Sequence, residues 1–122
     1  PSMLAMLISP WAAVMVGLGS AFGFLLMLGP VIAARALIHV AFGVTGAYLI
    51  KKGFSFSKAL IAVTPIHALG ESLIVLPFGF DLYTAFVVVG IGTVLHHLAD
   101  SAIAVVLYKA VSNSMSLSRR SS

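Results

Sequence analysis

The sequence contains no cysteine and only three acidic residues, Glu71, Asp81 and Asp100. Without cysteine, neither a disulfide framework nor thiolate ligation of a metal is available. Charge of either sign is scarce, at 8% of the 122 residues, where a soluble domain carries about a quarter. That scarcity excludes a soluble enzyme fold and a disordered chain. Catalytic signatures are missing as well. No nucleophile stands beside a base, and there is no phosphate-binding loop and no basic nucleic-acid face, so no enzyme is expected. What is present is apolar: hydrophobic residues make up 61% of the chain and mean hydropathy is +1.15. The expected fold is an all-α polytopic membrane helix bundle, because the length suits four full spans of roughly 20 residues each.

Proline, glycine and the lysines punctuate these spans. Pro10 fits the first turn of a helix and Trp11 fits the membrane interface, which starts a span running from Pro10 to Leu28. Gly29-Pro30 breaks it, and a second span follows from Val31 to Ile50, ended by Lys51-Lys52-Gly53. A third runs from about Ser57 to Leu76 with Pro65 as an internal kink. After the turn Pro77-Phe78-Gly79-Phe80-Asp81, the last span covers about Tyr83 to Ala110. Residues 1–110 form one transmembrane domain in this reading, and residues 111–122 a flexible cytoplasmic tail. The first apolar stretch, Ser2 to Ser9, is too short to cross a bilayer and is expected to be the end of a helix whose start is missing. A signal peptide is not expected, since no basic region precedes that stretch. Gly17, Gly19, Ser20 and Gly23 form a small-residue face suited to close helix packing.

Six of the seven basic residues lie outside the spans or within two residues of their ends, at Lys51, Lys52, Lys58, Lys109, Arg119 and Arg120. Two crossings separate the two groups, so both fall on one side, which the positive-inside rule makes cytoplasmic. A bundle with both ends inside then implies six helices in the intact protein.

Against this background three pairs stand out: Arg35 and His39, His67 and Glu71, and His96 and Asp100, with His97 beside the last. Members four residues apart share a helix face, and ionisable groups at membrane depth mark interior cavities or functional sites. The orientation places all three pairs around one cavity opening outward, Arg35 and Glu71 near its mouth and His96 and Asp100 at its floor. A small anionic ligand would suit it, with Arg35 holding a carboxylate and a histidine meeting a ring nitrogen. Trp11, Phe22, Phe24, Phe42, Phe78 and Tyr83 are candidate flat walls. The alternative is a metal- or haem-binding site built from the histidines, Glu71 and Asp100. Against that, Arg35 would repel a cation and no His-x-x-His or His-x-x-x-His repeat occurs. A third reading makes the groups internal ion pairs, Arg35 with Glu71 or Asp100, that fix helix register. His97 is expected to be structural.

The stretches Met3-Leu-Ala-Met-Leu-Ile-Ser-Pro10, Val16-Gly-Leu-Gly-Ser-Ala-Phe-Gly-Phe24, Arg35-Ala-Leu-Ile-His39, His67-Ala-Leu-Gly-Glu71 and Gly90-Ile-Gly-Thr-Val-Leu-His96 with Asp100 carry a resemblance. Together they resemble the substrate-binding (S) components of energy-coupling factor (ECF) vitamin transporters, most closely the niacin-specific branch. The resemblance covers Ser2 to Ala110. It implies a bacterial plasma-membrane protein that captures a vitamin from outside and binds no ATP itself. It also implies a transmembrane coupling subunit and two cytoplasmic ATPase subunits as partners. Nicotinate would set its carboxylate on Arg35 and its pyridine nitrogen on His39 or His96, with no cofactor. Two features depart from the pattern: the first helix and the loop after it are absent from this chain, and His97 adds a second histidine.

Overall fold

The computed structural model describes residues 1–120, with side chains described to residue 114. Five α-helices follow in order: α1 (Ser2–Ala5), α2 (Pro10–Leu28), α3 (Pro30–Lys51), α4 (Phe56–Val75) and α5 (Ile91–Arg120). A 3₁₀ turn at Leu76–Phe78 and a π-helix at Thr84–Gly90 lie between the last two. No strand occurs among the described residues. Four helical stretches are long and apolar enough to cross a membrane: Pro10–Leu28, Pro30–Lys51, Phe56–Phe78 and Thr84–Ser114. The architecture is the expected all-α membrane bundle. Its outer surface confirms the environment, since Met15, Phe22, Leu26, Ile61 and Leu95 all lie exposed, which lipid tolerates and water does not.

Local chemistry sets the helix ends. The Ser9 hydroxyl accepts the Ala12 N–H at 3.0 Å, and Pro10 occupies the first position of α2, where its missing N–H has no helical partner to lose. Gly29 reverses the chain in one residue at φ +89°, and its N–H returns to the Phe24 carbonyl. Only glycine holds that conformation without strain. Ser55 caps α4 by accepting from the Lys58 N–H.

Asp81 caps the beginning of the last span. Its Oδ1 accepts the Thr84 N–H at 3.0 Å and its Oδ2 the Thr84 hydroxyl at 2.6 Å. The hydroxyl bond and then the amide bond favour the ionised carboxylate and hold its pKa below the ordinary value. A depressed folded-state pKa makes the contribution present at neutral pH and lost as pH falls through that value. Amide protection at Thr84 and Ala85 is therefore expected to decline on acidification in hydrogen-exchange measurements. Asp81→Ala should show the low protection already at neutral pH, and equal protection in both proteins would refute the cap.

Packing is uneven along the bundle. α2 and α3 meet most closely at Gly17, where an added Cβ would lie 2.6 Å from Val40 Cγ2 and 2.9 Å from the Val40 backbone nitrogen. Gly19 and Gly23, expected on the same face, instead have no atom within 4 Å of such a Cβ. Only α1 is helical in the N-terminal stretch, and Met3 and Met6 enter the core beside Phe42, Phe56, Leu60, Val63 and Ala104. The Phe56 and Tyr108 rings meet at 5.5 Å, so Lys58 and Lys109 lie at one end of the bundle. α5 continues past the expected boundary at Ala110 as far as Arg120; residues 121 and 122 of the expected tail lie outside the described residues.

Candidate functional site

Glu71 is the centre of a polar layer that joins α3, α4 and α5. It is 3% exposed, and an ionised carboxylate so placed needs charged and hydrogen-bonding partners. Its Oε2 accepts Arg35 Nε at 2.8 Å, Arg35 Nη2 at 2.6 Å and the Thr93 hydroxyl at 2.8 Å. Its Oε1 lies 3.1 Å from His67 Nε2 and 4.0 Å from His39 Nε2. The four-residue spacing performs as expected on α4, where His67 and Glu71 share a face and contact each other directly. On α3 the same spacing sets Arg35 and His39 on either side of Glu71.

A second part of the layer runs along α4 toward its N-terminal end. His67 Nδ1 and His97 Nδ1 are 2.8 Å apart, and His97 Nε2 donates to the Leu60 carbonyl at 3.0 Å. That carbonyl also accepts the Thr64 hydroxyl at 3.1 Å. Pro65 removes the backbone donor that would reach the Ile61 carbonyl; the Leu60 carbonyl, one residue earlier, is the one that takes both side-chain donors. His67 and His97 are 1% and 0% exposed. Among the described residues no buried side-chain polar atom lacks a partner.

Thr93 and His97 were not among the expected ligand-contacting residues, yet they are the α5 side chains that reach this layer. They too are four residues apart, which was the available signal. The π-helix explains the choice of face, because its wider turns rotate all later positions about the axis relative to a continuous α-helix. Gly90, at its end, permits the approach: a Cβ there would stand 2.7 Å from Ser72 Oγ.

A cavity of about 320 Å³ lies against this layer, lined on its polar side by His39, His67, His96 and Asp100 and on its apolar side by Phe42 and Leu107, with Pro1 to Leu4 closing one wall. The volume is at the lower end for small-molecule sites. His39 stands edge-on to Phe42 and to His67, at 5.2 and 5.0 Å between ring centroids, with Nδ1 3.5 Å from the Ser2 hydroxyl. His96 stands edge-on to His67 at 5.1 Å. His96 and Asp100 share the exposed wall of the cavity but form no ion pair among the described residues.

The six expected site residues thus divide. Arg35 and Glu71 pair with each other and do not line the cavity. His39, His67, His96 and Asp100 do. The cavity extends from the histidine layer toward Leu107 and the basic end, opposite to the direction expected from an outward opening at Arg35. The register of the helices is the reason, since Arg35 and Thr93 meet across the interior on Glu71 and fill the space between. Of the six candidate aromatic walls only Phe42 contributes; Trp11, Phe22, Phe24, Phe78 and Tyr83 are exposed on the surface.

His39, His67 and Glu71 offer donor atoms within 4.8 Å of one another, a spacing a metal ion could bridge. The arrangement is a poor ligand set nonetheless. The carboxylate already holds the Arg35 guanidinium at 2.6 Å, and a divalent cation beside it would face that charge across a few ångströms in a medium of low dielectric. A second cavity of about 410 Å³ between α4 and α5 is lined by Ile61, Leu98, Val105 and other largely apolar groups and offers no charged group to orient a ligand. No protein-family model, curated protein or solved structure matches the chain.

Proposed function

We propose that this chain is the membrane-embedded substrate-binding subunit of an ECF-type importer in a bacterial plasma membrane, taking up a small aromatic carboxylate of the nicotinate type. In this reading its C-terminus is cytoplasmic, and ATP is hydrolysed by two partner ATPases that act through a transmembrane coupling subunit. The observation that carries the proposal is a compact cavity with three histidines and one aspartate on its wall, inside a bundle that is otherwise apolar. A purely structural bundle has no use for exposed ionisable groups such as His96 and Asp100 in its interior.

The ligand class follows from the donors. Phe42 supplies a flat face for a heteroaromatic ring, and a ring N–H of His39 or His96 can donate to a pyridine nitrogen. Arg35 spends one edge on Glu71 and remains 28% exposed. Arg35 does not line the cavity, so in this reading its remaining donors meet the carboxylate at the Pro30 end as a first contact, before the ring reaches the histidines. Glu71 then acts as the anchor that keeps the guanidinium fixed before the ligand arrives, which lowers the ordering penalty of binding.

Thermal unfolding of purified protein in detergent tests the proposal. Nicotinate at a hundredfold excess over its dissociation constant should stabilise the fold by about 2.7 kcal/mol. Nicotinamide, lacking the charge, should stabilise it much less. His96→Ala, which removes an exposed side chain whose contact is the edge of the His67 ring, should change the unliganded midpoint little and abolish the shift. Equal stabilisation by both compounds, or by neither, refutes the ligand assignment.

A further inference from the structure

Three hydrogen bonds run in series through the buried layer, from the Leu60 carbonyl to His97, from His97 to His67, and from His67 to Glu71. Each bond requires one proton between its two atoms. Both ends of the series only accept: a backbone carbonyl has no proton, and neither has an ionised carboxylate. A neutral imidazole carries one N–H and one bare nitrogen, so two neutral rings supply two protons for three bonds. Starting from Leu60, His97 must donate through Nε2 and accept through Nδ1. His67 must then donate through Nδ1, which leaves its bare Nε2 facing a carboxylate oxygen at 3.1 Å. Starting from Glu71 the same conflict appears at the contact between the two Nδ1 atoms.

We infer that the His67–His97 pair is a buried proton-binding site, carrying three N–H protons on its four ring nitrogens. The third proton lies on the rings because Glu71 Oε2 already accepts two N–H bonds from Arg35 and one O–H bond from Thr93, an arrangement that favours the ionised acid. The groups around the pair are consistent with a resident cation. α3 presents Arg35 and His39, α4 presents Glu71, and α5 presents His96 and Asp100. Beyond His39 lies the Pro1 nitrogen. Glu71 and Asp100 are the acidic groups set against Arg35 and the imidazolium, with the Pro1 amine a further basic group at the edge.

The site also has a mechanical consequence. Both bonds of His97 cross from α5 to α4, so the third proton fastens these helices together. Its departure leaves two bare nitrogens, or a nitrogen and a carboxylate, facing each other in a buried layer where an unpaired polar contact is destabilising. Because the folded state binds a proton that the unfolded chain releases, stability falls as pH rises through the range in which that proton leaves. The cavity wall shares His67, so bundle opening and proton loss are coupled there whatever the cavity holds.

Nitrogen-15 NMR of histidine-labelled protein in detergent micelles tests this directly, with the four rings assigned through His39 and His96 variants. At neutral pH the His67–His97 pair should show an imidazolium signature that remains when His39 and His96 are replaced. Glu71→Gln is the decisive variant. Its amide N–H can donate to His67 Nε2 and complete the series without the extra proton, while its carbonyl still accepts from Arg35 and Thr93. The imidazolium signal should disappear, and the fall in thermal midpoint on going from neutral to alkaline pH should disappear with it. Two bare-nitrogen signals from the pair in the unmodified protein overturn the proposal, as does an imidazolium that persists in Glu71→Gln. Stoichiometric metal in the purified protein overturns it too, since an ion would then take the proton's place. Should the variant not fold, the spectrum of the unmodified protein decides alone.

Discussion

Arg35→Met is expected to lower stability by about 3 kcal/mol, the largest loss from any single change in the polar layer. Removing one member of a buried ion pair typically costs about 3–5 kcal/mol because the other charge stays behind uncompensated. The lower end applies here, since Arg35 is 28% exposed at its side chain and Glu71 only 4%. The loss comes chiefly from Glu71, left with His67 and Thr93 as its near partners. Pairing the change with Glu71→Gln should therefore restore most of the stability, because the amide keeps the contacts to His67 and Thr93 without a buried charge. Thermal unfolding in detergent, or titration with a denaturing detergent, measures both effects. A single variant within about 0.5 kcal/mol of the parent, the range of ordinary surface changes, would show that Glu71 does not depend on Arg35. The pair also separates two roles of Arg35. A refolded double variant that no longer responds to nicotinate assigns the guanidinium to the ligand; one that still responds assigns it to the fold.

Gly17→Leu should be comparably damaging, by about 3 kcal/mol, through a different mechanism. α2 contributes no side chain to the polar layer and is held against α3 by close backbone approach. A Cβ at Gly17 would meet not only the movable Val40 Cγ2 but the Val40 nitrogen at 2.9 Å and Cα at 3.2 Å. Backbone atoms cannot rotate away, so the helices must separate. Overpacking alone costs about 1–3 kcal/mol, and separation further loses the neighbouring contact of Gly43 with Ala13, at 3.0 Å for a Cβ on Gly43. Gly17→Ala should show a smaller loss of about 1–2 kcal/mol. Gly19→Ala and Gly23→Ala face open space and should leave the thermal midpoint unchanged or slightly raised. Equal losses at Gly17 and Gly19 would show that helix propensity, not the approach to α3, controls this face.

Much of the fold was legible because membrane spans have a strong one-dimensional signal. The 19 largely apolar residues from Pro10 to Leu28, a Gly-Pro break, and a Lys-Lys stop at the end of α3 leave few other arrangements. The observed ends, Pro30–Lys51 and Phe56–Val75, lie within a residue of the expected ones. The end of α5 was less legible, since the serine-rich stretch after Ala110 carries no proline or glycine to stop a helix. In the site, the pairing of His67 with Glu71 follows from spacing alone. The choice between the face of Thr93 and His97 and that of His96 and Asp100 does not, because both pairs have the same spacing.

The sequence by itself determined that this chain lives in a membrane, how many times it can cross, and that Arg35, Glu71, Asp100 and the four histidines lie inside the spans. These are properties of local composition, and no distant residue can change them. Only the tertiary structure decided which of those groups meet. Arg35 spends itself on Glu71, His97 enters the core while His96 remains on the cavity wall, and the cavity extends toward the basic end. Each outcome depends on the rotation and depth of one helix against another. A π-helix at Thr84–Gly90 and a glycine contact at Gly17 set those quantities, through distances that no pattern along a single helix encodes.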